Sequence, residues 1–520
     1  MALFSYTNIA VLLISLLVAR RTYWEATTGQ RRRRLASQKG TLPATQRVSR
    51  VPSYIPTFGI DAVVDNFRAI KAKRFLEKWQ QDFIDAGAHT LAFNVFGASV
   101  YMTEDPENVK YMLATGFDAW SLGKERIKSM SAFLGMGIFT NEGKAWKHSR
   151  EMLRPCFEKH AVADVSLLEK HVSRFVQLLP EDDRTIDLQP LLHELTLDIA
   201  TEFLFGRSTD SLVRGEKSKD AEGFVHAFEY CCDPFLSKPY KKWGYVGLFL
   251  PDAEGKRCAQ AVKDFADKII DEEIASKSAE DRKNNNRYIF LDELLSATQD
   301  RTVIRSELLN ILLAGRDTTA SLLSNLLFEL PRHPEVLSHL HAEILEHVGA
   351  TSTPTYEQLK NMKYLKAIIN ESQRLHPIVP SNSREAIYDT TLPRGGGPDG
   401  TAPILIPAGT FVAYHVYSLH RRPDIYGPDA AEFRPERWLE PGFRPGWAFI
   451  PFSGGPRVCI GQNFALTEVM YVVVRMVQGY AIESRDKGVW RERMSITCVG
   501  DGGCKVGLKR RIDGGESGKL

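Results

Sequence analysis

One cysteine near the C-terminal end lies in a turn rich in glycine and proline. Residues 451–465 read PFSGGPRVCIGQNFA, and the apolar run 464–476 favours a helix. Cys459 is therefore expected just before a helix N-terminus, where exposed backbone N–H groups and the helix dipole stabilise an anion. The thiolate is the form of cysteine that binds metal, and such a position lowers the pKa of the thiol. The alternative is a buried structural cysteine, as most cysteines are.

A second group of reactive residues interrupts a long apolar run. Residues 306–330 lack an interior proline, which predicts one long buried helix. Gly315, Asp317 and two threonines are unfavourable inside such a helix, and a protein places groups of this kind where it performs its function. Gly315 leaves space for a small ligand, while Thr318 and Thr319 can bond carbonyls one turn back and loosen the helix. The alternative is a core helix kinked by its threonines.

Two further pairs of residues are weak signals when each is taken alone. Trp146 and Arg150 are spaced to share one helix face. Glu371 and Arg374 have the i, i+3 spacing that also brings side chains together. Such pairs are common on solvated helices, so their value depends on the other motifs of the chain.

The cysteine turn resembles the haem-binding signature of the cytochrome P450 enzymes. Phe452, Gly455, Arg457, Cys459 and Gly461 occupy every fixed position of that signature. The resemblance implies that Cys459 is the axial ligand of the iron of haem b, with Phe452 and Gly461 beside the cofactor. It also implies that Arg457 pairs with an anionic group of the haem.

The other motifs follow in the order that this family shows. The resemblance implies that Trp146, Arg150 and Arg384 contact haem propionates. Residues 314–318 match the family's Ala/Gly-Gly-x-Asp/Glu-Thr motif, in which the groove beside Ala314 and Gly315 holds dioxygen and the acid and alcohol relay protons. The predicted catalytic residues are accordingly Asp317 and Thr318.

The resemblance also implies a buried structural triad. Arg437, in the stretch FRPERW, occupies the position from which an arginine joins the Glu371–Arg374 pair in this family. A second arginine would offset the cost of burying the carboxylate. The triad is expected to support the cysteine turn and to take no part in the reaction.

Narrower motifs resemble the fungal members that hydroxylate alkanes and fatty acids. These are AGRDTT, GKAWKHSR, LPRGGGPDG, HRRPDIYGP and VCIGQ. The resemblance implies a haem-thiolate monooxygenase that inserts one oxygen atom from O2 into C–H bonds at or near the end of an n-alkane or fatty acid. Related animal enzymes esterify a glutamate to the haem at the position of Ala314, which has no carboxylate, so non-covalent contacts and Cys459 should hold the cofactor here. Substrate contacts are expected in residues 121–133, 379–382 and 499–502 and in the long helix before Ala314.

Two alternative functions remain open. One is the oxidation of a secondary metabolite, such as a polyketide or terpenoid tail, by the same fold. The other, of a different class, is a haem-binding sensor or carrier or a non-oxygenating isomerase, although a carrier has no need of the proton relay through Asp317 and Thr318.

The electrons are expected to come from a separate protein. The glycines of residues 395–400 lack the strand and helix context of a dinucleotide site, and the chain shows no flavin motif. The resemblance implies that the electron donor is NADPH-cytochrome P450 reductase, with cytochrome b5 as an optional second donor. The other expected partners are O2, a hydrophobic small-molecule substrate and membrane lipid.

Composition excludes several classes of protein. The chain has 520 residues, of which 43% are hydrophobic and 25% charged, and a net charge of +3, too small to indicate nucleic-acid binding. Its seven cysteines are dispersed and show no CxxC spacing, which argues against a disulfide framework or a zinc site. The patterns predict a mainly α fold with a small β region. Residues 60–87 are expected to form one amphipathic helix, residues 90–101 a strand pair, and residues 276–287 an exposed loop.

The N-terminus resembles a membrane anchor. Residues 2–19 are largely apolar and uncharged, and arginines follow at 20, 21 and 31–34. A cleaved signal peptide is the main alternative, but positive charge behind an apolar run favours a single-pass anchor with the rest of the chain in the cytoplasm. We expect a transmembrane helix at 1–22, a basic, proline-containing linker at 23–55, a catalytic domain at 56–512 and a disordered tail at 513–520. The expected location is the endoplasmic reticulum membrane.

Overall fold

The structure is a computed structural model, and its description covers part of the chain. The described residues are 6–48, 59–95, 98–158, 163–213, 219–233, 236–243, 247, 250–276 and 289–511. They form two compact units: Met1–Val64, Trp79–Ser121 and Ser383–His415 in the first, and Asp65–Lys78, Leu122–Asn382 and Val416–Leu520 in the second. Most of the predicted loop 276–287 and the predicted tail 513–520 lie outside the described residues.

Helices predominate, as the sequence predicts. In chain order they are α1 (Tyr6–Trp24), α2 (Gln30–Lys39), α3 (Ile60–Lys71), α4 (Phe75–Ala86), α5 (Pro106–Lys110), α6 (Lys124–Leu134), α7 (Gly143–Leu153), α8 (Ser166–Gln177), α9 (Leu188–Phe205), α10 (Lys219–Cys232), α11 (Lys238–Trp243), α12 (Ala253–Ser276), α13 (Phe290–Ala297), α14 (Arg301–Glu329), α15 (Pro334–His347), α16 (Tyr356–Asn361), α17 (Lys363–Leu375), α18 (Val416–Leu419), α19 (Pro423–Tyr426) and α20 (Gln462–Gly479).

The strands are short and few. They are β1 (Thr45–Gln46), β2 (Thr90–Val95), β3 (Ala98–Thr103), β4 (Trp120–Ser121), β5 (Asp182–Asp187), β6 (Ser381–Ala386), β7 (Thr390–Gly396), β8 (Ala402–Ile406), β9 (Phe411–His415), β10 (Tyr480–Ser484), β11 (Glu492–Met494), β12 (Cys498–Gly500) and β13 (Lys505–Arg510). The first unit holds a six-stranded sheet in the order β1-β2-β3-β9-β6-β4 and the hairpin β7-β8. The second holds a three-stranded sheet, β10-β13-β5, and the hairpin β11-β12. The predicted strand pair at 90–101 is present as β2 and β3, which pair antiparallel.

The long helix α14 is the central element of the second unit. It spans Arg301–Glu329, where the apolar run predicts 306–330. It begins earlier than predicted because the Asp300 side chain caps it by accepting from the backbone N–H groups of Thr302, at 2.8 Å, and Val303, at 3.3 Å. Aliphatic residues of α14, α17 and α20 belong to one buried cluster that forms the core of this unit.

The single amphipathic helix predicted for residues 60–87 is wrong. The structure has two helices, α3 and α4, with a break between them at which Lys73 adopts a left-handed φ of 53°. A right-handed helix cannot continue through a residue with left-handed backbone angles, so the first helix ends before Lys73. The apolar periodicity on both sides of the break conceals it in the sequence.

The basic stretch near the N-terminus is partly structured. A wide, π-type turn at Glu25–Gly29 joins α1 to α2. Arg31 and Arg32 of α2 pair with Asp389, with nitrogen–oxygen distances of 2.8 and 3.1 Å. Part of the segment predicted as a linker is thus helical, and another part forms β1. Among the helices that the structure describes, none is both long and apolar enough to cross a membrane.

Candidate active site

The cysteine turn is closed by backbone bonds and tight packing. The Cys459 N–H donates to the carbonyl of Phe452 at 2.9 Å. Gly455 takes a left-handed φ of 63°, which favours glycine. A Cβ atom at Gly454 would lie 2.4 Å from the Trp447 ring, so this glycine permits a close approach of the two segments. Helix α20 begins soon after Cys459, as the apolar run predicts.

The lowered thiol pKa that the sequence predicts at Cys459 is not found. Burial raises the pKa of the thiol, while the Gly461 N–H and the charge of Arg150 act in the opposite direction without prevailing. The position before the helix therefore provides the groups expected to stabilise the thiolate. Burial by tertiary packing raises the thiol pKa by more than these groups lower it. A bound metal ion deprotonates a coordinating thiol outright, so this direction does not argue against a ligand role.

Two arginines and a tryptophan surround the turn. Arg150 of α7 donates from Nη1 to the carbonyl of Val458 at 2.9 Å, directly beside the cysteine. The Arg457 guanidinium lies 4.5 Å from the centre of the Trp146 ring. The structure therefore brings together Trp146, Arg150, Arg457 and Cys459, as the motif order implies.

The loop that contains Ile138, Phe139 and Asn141 connects this turn to α14. The Arg457 side chain donates to the carbonyls of Asn141, at 2.9 Å, and Ile138, at 3.4 Å. On the other side, the buried Glu307 accepts from the Ile138 N–H at 3.1 Å, and Asn310 accepts from the Phe139 N–H at 3.0 Å. Polar residues about two and three turns before Asp317 on an apolar helix, Asn310 and Glu307, were the signal that could have revealed this link.

Arg384 lies in the first unit. It is on β6 and 4% exposed. Its guanidinium donates to the carbonyl of Ser383 at 2.7 Å and lies 5.9 Å from the centre of the Tyr414 ring. Its expected contact with a haem propionate stays a prediction.

The motif on α14 has an internal bond and close packing against α9. The Thr318 hydroxyl donates to the carbonyl of Ala314 at 2.5 Å, as predicted for a threonine that bonds one turn back. A Cβ atom at Gly315 would meet only the Cβ atom of Ala200, at 3.6 Å. The space that this glycine leaves therefore lies on the side of α14 that faces α9. The buried hydroxyl of Thr319 has no hydrogen-bond partner in the structure.

Asp317 is a buried, paired carboxylate. Its Oδ1 atom lies 3.1 Å from Nη1 of Arg316 and 3.7 Å from Nδ1 of His193. Burial alone would raise the pKa of this carboxyl, but Arg316, His193 and Arg493 together hold the pKa below its ordinary value. The side chain is accordingly ionised at neutral pH.

The predicted triad residues are in contact and fully buried. Arg374 donates two bonds of 2.8 Å to the carboxylate of Glu371, and Arg437 donates a third from Nε at 3.0 Å. The Trp438 indole N–H and the Arg434 backbone N–H, both at 2.9 Å, complete the carboxylate's partners. Burial would raise the pKa of Glu371, yet these donors keep it below its usual range.

A histidine missed by sequence reasoning holds the segment before the cysteine turn. The Ile450 N–H donates to His420 Nε2 at 3.0 Å, and His420 Nδ1 lies 3.4 Å from the carbonyl of Gln373. Burial lowers the pKa of His420 to about 3, so the ring is neutral and can accept at Nε2. His420 is the first residue of the family motif HRRPDIYGP, and nothing in its local sequence indicates this role.

Two regions predicted to contact the substrate meet in the structure. Arg126 of α6 donates from Nη1 to the side-chain oxygen of Asn382 at 2.6 Å. A third region approaches α9, because the carbonyl of Gly500 accepts from the Gln189 side chain at 2.9 Å. Contact with a substrate stays a prediction for all of these residues.

The chain belongs to the cytochrome P450 family. The family model described as Cytochrome P450 matches residues 75–497. The protein is thus a cytochrome P450 monooxygenase, an oxidoreductase of mainly helical fold with a small sheet region.

Several curated fungal proteins are similar over most of the chain. Cytochrome P450 52A5 of Candida maltosa is 45% identical over 412 residues, which are 76% of this chain and 78% of that protein. Cytochrome P450 52A13 of Debaryomyces hansenii is 43% identical over 429 residues, or 79% of this chain and 82% of that protein. Cytochrome P450 monooxygenase himC of Aspergillus japonicus is 40% identical over 513 residues, or 97% of this chain and 90% of that protein.

The residues around the cysteine turn fit the family's cofactor, haem b. The Cys459 side chain is enclosed by protein, yet its own surface remains accessible to a small molecule. A thiol that protein atoms surround and that still has an exposed surface faces an internal space. Arg150 and Arg457 offer cations for the carboxylates of a porphyrin, and a thiol is a suitable iron ligand.

Proposed function

We propose that this monooxygenase hydroxylates n-alkanes or fatty acids at or near the chain terminus. The observation that carries the proposal is the set of motifs from AGRDTT to VCIGQ, which resembles the fungal alkane- and fatty-acid-hydroxylating members. Identities of 45% and 43% to two cytochrome P450 52A proteins support the same branch.

Each residue near the proposed haem site has a distinct role in this proposal. When bound, haem with a thiolate ligand supplies the chemistry that activates dioxygen. Cys459 would hold the iron, and Trp146, Arg150, Arg384 and Arg457 would orient the cofactor through its carboxylates. Phe452, Gly461, Ala314 and Gly315 would border the cofactor without a covalent bond to it.

Asp317 and Thr318 would move protons on the side of α14. Asp317 is ionised and can accept a proton. The Thr318 hydroxyl can accept a hydrogen bond while it donates to Ala314, so it can hold a water in place. Asp317 is directed towards His193 and Arg316, so a water or a side-chain rotation must link it to Thr318.

Thr318→Ala is expected to separate oxygen consumption from product formation. Without the hydroxyl, protons are delivered poorly, so product per reductant consumed should fall by about 100-fold, while hydrogen peroxide release rises. Thr319→Ala is a matched control, because that buried hydroxyl has no hydrogen-bond partner. Full coupling in Thr318→Ala would show that the hydroxyl does not take part in proton delivery.

A panel of aliphatic substrates tests the proposed function. Microsomes with reductase would be incubated with dodecane, lauric acid and oleic acid, and the position of each hydroxyl determined by mass spectrometry. Hydroxylation at or near the terminus supports the proposal. No turnover of any of the three would favour oxidation of a secondary metabolite. We keep this alternative because the monooxygenase himC is 40% identical over nearly the whole chain.

We also propose that the N-terminal helix attaches the enzyme to the endoplasmic reticulum membrane, facing the cytoplasm, where NADPH-cytochrome P450 reductase and cytochrome b5 would reach it. Large apolar side chains of α1, among them Val11, Ile14 and Leu16, are more than half exposed. The proposed boundaries remain 1–22 for the anchor, 23–55 for the basic segment and 56–512 for the catalytic part. Sedimentation of the full chain with membranes, and its loss on deletion of residues 1–22, tests the attachment.

A further inference from the structure

Asp317 has a histidine neighbour on a different helix. His193 lies on α9, and its Nδ1 atom is 3.7 Å from Oδ1 of Asp317. The His193 side chain is 20% exposed, whereas that of Asp317 is only 9% exposed. The imidazole is therefore partly exposed, and its Nδ1 atom approaches the buried carboxylate.

The neighbours of Asp317 differ in whether they can supply a proton. Besides His193, the groups that face it are Arg316 on the same helix and Arg493 on β11. A guanidinium does not release its proton in proteins. Imidazole is the side chain whose charge changes between about pH 5 and 8, so it can both take up and release a proton under physiological conditions.

The groups beyond Arg316 do not offer another route. Glu229 of α10 accepts from Nη2 of Arg316 at 2.6 Å and is bound to that cation. Burial, with a contribution from Asp317, raises the pKa of the neighbouring Cys232 thiol far above its ordinary value. Because its basic neighbours keep Asp317 ionised in spite of its burial, a relay through this carboxylate needs an external proton source, and His193 is the neighbour with suitable chemistry.

We propose that His193 passes protons from solvent to Asp317, an inference that rests on the proposed relay through Asp317 and Thr318. The Nδ1–H bond of the imidazolium breaks, and its proton forms an O–H bond with Oδ1 of Asp317. The neutral imidazole keeps its Nε2–H and then regains a proton from solvent at Nδ1, and Asp317 returns to its ionised form when it passes the proton on. No electrons are exchanged in these steps.

The separation of 3.7 Å is longer than a hydrogen bond. One intervening water or a small rotation of the ring closes it, and catalytic bonds are often long before the substrate is bound. The Nε2 atom of His193 is buried without a partner in the structure. An unpartnered polar atom is costly, which favours rotation of the ring or entry of a water.

The test uses His193→Gln, which keeps hydrogen-bonding capacity but does not titrate. Asp317→Asn interrupts the proposed relay itself, and His226→Gln, at an exposed position on α10, is the matched control. The first readout needs no turnover: it is the carbon–oxygen stretching frequency of carbon monoxide bound to the reduced protein, measured across about pH 5.5–8.5, where imidazoles titrate. The second readout is product formed per reductant consumed over the same range.

The wild type and His226→Gln should show a pH-dependent shift of the carbon monoxide band, and His193→Gln should show none. Coupling in His193→Gln should fall by roughly tenfold, less than the 100-fold or more expected for a group that protonates the reacting atoms directly. His193→Asn, tested alongside, should behave in the same way, so that the result does not depend on one substitution.

The outcomes distinguish this inference from the relay beneath it. A His193→Gln protein with a wild-type band shift and wild-type coupling overturns the role of His193. If Asp317→Asn then uncouples the reaction, only the histidine step is wrong. If Asp317→Asn is also fully coupled, the proposed relay fails together with the inference.

Discussion

Cys459→Ala is expected to abolish turnover completely. The substitution removes the sulfur proposed to bind iron, and no other cysteine is present in the turn formed by residues 451–461. The backbone bond from residue 459 to the Phe452 carbonyl does not involve the side chain, so the turn should keep its shape. The expected result is a folded protein with little retained haem and no product, measured as haem per chain and hydroxylated substrate per minute.

Cys156→Ala provides the matched control for that substitution. Cys156 is buried, follows α7 and has no proposed role. It should retain haem and turn over substrate. If Cys459→Ala bound haem normally and formed product at the wild-type rate, the proposed ligand would be wrong.

Glu371→Ala should have the largest effect on stability. Removing the carboxylate leaves the fully buried guanidinium groups of Arg374 and Arg437 without their shared anion. Breaking a buried ion pair on one side costs about 3–5 kcal/mol. Glu440→Ala removes a partly exposed ion pair with Arg434, and its expected cost is only about 0–1 kcal/mol. Thermal unfolding of the two variants at matched concentration provides the comparison.

A second consequence of Glu371→Ala concerns the cysteine turn. Arg374 also donates to the carbonyls of His420 and Ala430, and His420 in turn accepts from Ile450 just before the turn. We therefore expect weaker haem retention in this variant than in Glu440→Ala. Equal melting temperatures and equal haem content in the two variants would show that the triad does not support the turn.

The contribution of Glu371 should also depend on pH. Its pKa in the folded protein lies below the ordinary carboxyl range, so its stabilisation is present at neutral pH and is lost as the pH falls through the folded pKa. The difference in stability between the wild type and Glu371→Ala should therefore shrink in acid.

Local patterns were sufficient to predict the elements that present the site. Helix α17 carries the predicted Glu371–Arg374 pair on one face, because the i, i+3 spacing is a property of a short stretch. Helix α14 was predicted for the same reason, and only its capping by Asp300 shifted its start. The triad was implied by family resemblance, since nothing local connects Arg437 to Glu371.

Tertiary contacts determined the features that sequence reasoning did not predict. His193 meets Asp317 only because α9 packs against α14, and neither stretch indicates the other. The pKa of Cys459 rises through burial, a property of the folded unit that the turn and the following helix do not reveal. Lys73 divides the helix predicted for 60–87 through its backbone conformation, although the side-chain pattern continues on both sides.

The reduced protein under carbon monoxide provides the most direct test of the central claim that Cys459 binds haem iron as a thiolate. The account predicts a Soret band with the red shift that thiolate ligation produces, present in the wild type and absent from Cys459→Ala. A wild-type band without that shift would contradict the account, because the iron would then be bound by another ligand.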